Sequence, residues 1–123
     1  MARDGVGHLW VHHSGTDVTN TINRLTGRLP CVHVKDVAPA GWNVTFAPVG
    51  EGNLNWREIL PALRDAGTEW LIVEQDACLR DPFESIESSL RFLQRSLIPL
   101  LADASLSQKK SAESLVNLAA SSA

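Results

Sequence analysis

Two short apolar runs stand out along the chain, Cys31-Val-His-Val-Lys-Asp36 and Trp70-Leu-Ile-Val-Glu-Gln-Asp76, and each ends in polar residues. Runs of this length, rich in Val and Ile and separated by a helix-length segment, predict two parallel strands of a βαβ unit. Side chains alternate along a strand. Cys31, His33 and Lys35 therefore share one face of the first run, and Trp70, Ile72, Glu74 and Asp76 share one face of the second. An imidazole and a carboxylate then lie near the carboxyl ends of two strands. In a barrel this is the end that carries the chemistry.

The intervening pattern predicts further β-then-α units. Gly7 to His12 reads as a short strand. Asp17 is placed to cap a helix through about Leu25, with Gly27 supplying the left-handed residue after it. Val37 to Asn53 reads as one long loop, well beyond the about two to six residues usual after a strand. It carries Trp42, Phe46, Pro39 and Pro48, enough apolar surface for a lid or a partner contact. Within it, Gly50-Glu-Gly52 lacks the lysine and serine of a phosphate loop, so its glycines read as turn formers. Asn55-Trp-Arg-Glu58 has the form of a capping box opening a helix that runs to about Ala66, stops at Gly67 and contains Pro61. Asp81-Pro-Phe-Glu84 opens another helix, with Phe83, Ile86, Leu90 and Leu93 as its expected buried stripe. From Ala102 the composition shifts to Ser and Ala with few anchors. We read residues 1–101 as the folded portion and 102–123 as a mobile extension.

Composition narrows the function classes. Charged residues are 20% of the 123 and the formal net charge is −3, so no basic footprint for nucleic acid is present. No apolar run approaches the roughly 20 residues that cross a bilayer, and the first residues lack a signal-peptide core. Cys31 and Cys78 are too differently placed for a disulfide, and free thiols fit a reducing, cytoplasmic compartment. Asn43-Val-Thr45 matches a glycosylation acceptor but lacks that secretory context.

The motifs "VHVKD", "VGEGNLNW" and "WLIVEQD" followed by "DPFESIESS" resemble the last third or so of sugar phosphate isomerases/epimerases, the xylose isomerase-like TIM barrels. The likeness runs from about Trp10 to about Leu93 and rests on several motifs in order. It implies a partial (β/α)8 TIM barrel of α/β class, limited to the last strands and helices, because a complete barrel takes roughly 250 residues. It also implies a divalent metal, Mn, Co or Mg, held by two acidic residues, a His and a Glu. By motif, His33 matches the His and Glu74 the last Glu, which doubles as a general base beside a carbonyl. Lys35 and Trp10 fall where substrate is contacted. The family's first acidic ligand would precede Met1, and Gly7 stands where the second is expected.

Without its flanking motif, His33 reads as an ordinary hydrogen-bonded strand residue, and Asp36 reads as a salt-bridge partner of Lys35. His12 and His13 are adjacent and face opposite ways on a strand, so at most one of them reaches a common site. The expected activity is isomerisation or epimerisation of a small sugar or sugar phosphate, with polyol dehydration or lysis on a similar barrel as the alternative. The rival is a catalytically inactive half-barrel that serves in assembly, forming a homodimer through its open sheet edge.

Overall fold

The computed structural model describes residues 15–121. They form a mixed α/β chain of α1 (Val18–Arg24), β1 (Cys31–Val34), β2 (Asp36–Ala40), β3 (Asn43–Ala47), α2 (Trp56–Asp65), β4 (Trp70–Val73) and α3 (Pro82–Ser121). Two compact units divide the chain, one closing at Leu93 and the other beginning at Gln94. Trp10, His12, His13 and the strand read at Gly7 to His12 lie outside the described residues.

Strands β1 and β4 pair in parallel with Cys31 opposite Trp70 and His33 opposite Ile72. The two strands are joined through α2, as the βαβ pattern predicts. Alternation sorts their faces: Val32 and Val34 are buried, while His33, Trp70 and Ile72 are exposed on the other side. Helix α1 buries Val18 and Ile22, one turn apart, and α2 buries Trp56, Ile59, Leu60, Ala62 and Leu63 at helical spacing. The amide of Gly27, in left-handed conformation after α1, donates to the Ala66 carbonyl at the end of α2.

Of the expected helix caps, that of Asp81 is formed, its Oδ1 accepting the Phe83 and Glu84 amides, and the other two turn out differently. Asp17 has extended backbone geometry, and its carboxylate accepts the Asn20 amide. Asn55 sits at φ −80°, ψ 76°, off the extended geometry that aims a cap side chain into the first turn, and its side chain makes no cap bond. Only its backbone carbonyl serves, accepting from the Glu58 and Ile59 amides. The capping box is therefore not formed.

The stretch from Val37 to Asn53 is not one long loop. Strands β2 and β3 pair antiparallel, from Asp36 opposite Ala47 to Ala40 opposite Asn43, around the two-residue turn Gly41-Trp42. Gly41 has φ +62°, as the first turn position of this hairpin class requires. Pro39 is compatible because β2 and β3 form a two-stranded sheet in which each has an unpaired edge. Trp42 sits at the tip, fully exposed.

The expected stripe of α3 is also corrected. Phe83, Ile86 and Leu90 are exposed, and of that set only Leu93 is buried. Ser85, Ser89 and Leu93 face inward instead. On that face the Val49 amide donates to Ser89 Oγ at 2.9 Å, and Ser89 Oγ in turn donates to the Ser85 carbonyl at 3.0 Å. Small hydroxyl side chains let the helix approach the Pro48–Gly50 turn, where Gly50 has φ +90° and a Cβ would collide with the Phe92 ring. The Ser- and Ala-rich residues from Ser105 onward continue α3 to Ser121, with Pro99 inside it. Cys31 and Cys78 are free thiols. Among the described residues, no helix is long and apolar enough to cross a membrane.

Candidate functional site at the carboxyl ends of β1 and β4

Where β1 and β4 end, the chain places two acid-centred clusters side by side. The first lies on the face away from Val32 and Val34. His33 Nδ1 contacts Glu74 Oε2, with the two side chains 48% and 37% exposed. The Glu74 amide continues the strand ladder by donating to the Val34 carbonyl. This brings Glu74 one step beyond the pairing of His33 with Ile72, within diagonal reach of the imidazole. Lys35, whose side chain is only 6% exposed, places Nζ 2.8 Å from Glu74 Oε1 and 3.0 Å from Asp76 Oδ2. The Lys35 bond, and then the His33 bond, hold the Glu74 carboxyl below its ordinary range. Burial pulls Lys35 down, but its bonds to Glu74 and Asp76 outweigh this and leave it raised.

The second cluster is built on Asp36, 1% exposed. Its Oδ1 accepts the amides of Val37 at 2.9 Å and Leu54 at 3.2 Å, and its Oδ2 accepts the amides of Gly50 at 3.0 Å and Gly52 at 3.1 Å. The Trp56 indole Nε1 adds a fifth bond at 2.6 Å. Asp36 therefore does not pair with Lys35. It anchors the turn between β3 and α2, and the amides that turn presents need an acceptor that only a buried carboxylate reaches. A Cβ on Gly52 would strike Asp36 Oδ1 and the Val37 carbonyl, so glycine here serves close approach rather than a tight turn.

A third polar group closes the rim. Glu51 accepts from Arg80 Nη2 at 2.7 Å and from the Ser88 hydroxyl, and these bonds hold its carboxyl low, Arg80's the more strongly. Beside it, a cleft of about 280 Å³ is lined by Pro39, Phe46, Gln75, Leu79 and Arg80. Gln75 follows Glu74 in sequence and lines this cleft, with Nε2 donating to the Ala77 carbonyl.

Chemically, His33 and Glu74 offer one nitrogen and one oxygen donor at a common point, a mixed set suited to first-row divalent ions. Among the described residues no group of three or more His, Cys, Asp or Glu could hold a metal ion. The pair thus fits two positions of a coordination sphere and no more. Trp10, read as a substrate contact, lies outside the described residues. Asp76 was visible in the sequence as the next residue on the Glu74 face, but only Lys35 gives it a place in the cluster. Asp36 had no such signal, because its donors are spread from Val37 to Trp56. No protein-family model matches the chain, and no curated protein matches it.

Proposed function

We propose that this chain supplies the last βα units of a xylose isomerase-like (β/α)8 barrel and takes part in metal-dependent isomerisation or epimerisation of a sugar or sugar phosphate. The observation that carries this reading is the meeting of His33 and Glu74 at the carboxyl ends of two adjacent parallel strands, on the face opposite the buried Val32 and Val34. In a barrel that face is the interior and that end is the mouth. His33 and Glu74 would provide two ligands to Mn, Co or Mg, and the bound ion would polarise a substrate oxygen. Glu74 is the carboxylate that would accept a proton from a carbon beside a carbonyl. Mn²⁺ or Co²⁺ should raise the melting temperature of the full chain, and His33→Ala should remove the rise. An absent shift in the unsubstituted protein would sink the metal reading.

A second reading, the assembly module, is favoured by apolar exposure on the same face. Trp70 is 68% and Ile72 45% exposed there. In this account the β1–β4 pair closes against a second copy, and light scattering should give the mass of a dimer. A monodisperse monomer would argue against it.

A further inference from the structure

Three elements converge on one ammonium group. Lys35 leaves the end of β1 with its side chain covered, reaches Glu74 and Asp76 beyond β4, and lies with Nζ 6.0 Å from the centroid of the Phe46 ring on β3. Glu74 divides its oxygens between two partners, Oε1 to Lys35 and Oε2 to His33. A carboxylate is planar, so fixing one oxygen fixes where the other points. A surface glutamate left to itself samples many rotamers, and the cost of ordering it falls on any ligand that must recruit it.

We propose that Lys35 is a positioning residue, which anchors Glu74 by Oε1 so that Oε2 stays turned to His33, and which joins this pair to Asp76 and to the β2–β3 hairpin. The proposal rests on the reading of His33 and Glu74 as the working pair and assigns Lys35 a role apart from touching substrate. Its covered side chain supports this: at 6% exposure the ammonium is engaged by the protein's own carboxylates. Among the described residues, Glu74 is faced by His33 on β1 and by Lys35 just past its end, and Asp76 joins through Lys35.

Side-chain NMR of Glu74 at one neutral pH, on the full chain, tests this through side-chain relaxation and through Overhauser contacts to the His33 ring. In the unsubstituted protein the Glu74 side chain should be ordered and in contact with His33. In Lys35→Met it should lose both the order and the contact, and in Lys35→Arg, which keeps a donor for Oε1, it should retain them. Asp76→Asn should leave Glu74 ordered, because Lys35 still reaches Oε1. An ordered Glu74 still against His33 in Lys35→Met, or a loss in Asp76→Asn as large as in Lys35→Met, would overturn the proposal. If Lys35→Met does not fold, the Lys35→Arg protein and the unsubstituted protein decide, since a mobile Glu74 side chain in both defeats the anchoring and an ordered one in both supports it. These measurements need no metal. An ordered Glu74 without a manganese-induced melting shift would refute the metal reading and leave the role of Lys35 standing.

Discussion

Asp36 opens β2 just past the end of β1, Glu74 follows the end of β4, and the two differ in what surrounds them. Asp36 is buried and takes five N–H bonds, four from backbone amides and one from the Trp56 indole. Glu74 is part-exposed and is held by two side chains, an ammonium and an imidazole. A carboxylate saturated by fixed amides has no capacity left for a ligand and organises the backbone around it. A carboxylate held by two side chains at a part-exposed position keeps an oxygen within reach of solvent. The same functional group is a buried backbone anchor in one place and a part-exposed side-chain partner in the other, and the nature of its donors marks the difference.

The comparison breaks first at Asp36. Asp36→Ala strips the acceptor from five donors and should lower unfolding free energy by on the order of 3–5 kcal/mol in urea titration. A loss under about 1 kcal/mol would mean that water replaces the carboxylate and that the hub is dispensable. Gly52→Ala comes next, because its new methyl group must displace either Asp36 or the Val37 carbonyl. We expect about 1–3 kcal/mol of destabilisation, the usual cost of overpacking, read from the same titration. Unchanged stability would show that the turn has room the close approach denies. The smallest effect belongs to the other cluster. His33→Ala at an exposed position should stay within about 0.5 kcal/mol of the parent while removing the metal-induced melting shift. A large stability loss there would make His33 structural and erase the distinction between the two sites.

Much of the first compact unit was legible in the pattern of residues. The strands at Cys31 and Trp70, the helix after Asp17 and the helix ending before Gly67 follow from alternation, helical spacing and breakers, which act over a few residues. The hairpin at Asp36–Ala47 was less legible: β2 reads Asp-Val-Ala-Pro-Ala, with one β-branched residue and a proline, so its pattern carries little strand signal. The α3 stripe misled for another reason. Phe83, Ile86 and Leu90 have helical spacing, yet the helix turns Ser85 and Ser89 inward, where close approach to the Pro48–Gly50 turn leaves room for small side chains and Ser89 accepts from the Val49 amide.

For the site, alternation was sufficient to place His33 and Lys35 on one face and Glu74 and Asp76 on another, since period two is a property of the extended chain itself. Whether those faces adjoin, and which charge meets which, depends on the pairing of strands 41 residues apart. Asp36 shows the limit most plainly. Its sequence neighbour Lys35 suggested a salt bridge, but successive side chains on an extended chain point apart, and burial then favoured the partners that fully satisfy a carboxylate. The sequence by itself determined the two parallel strands, the helices around them and the order of the polar residues at the strand ends. Only the tertiary structure, through desolvation and the demand that buried amides find acceptors, decided which acid holds the fold together and which stands open to a ligand.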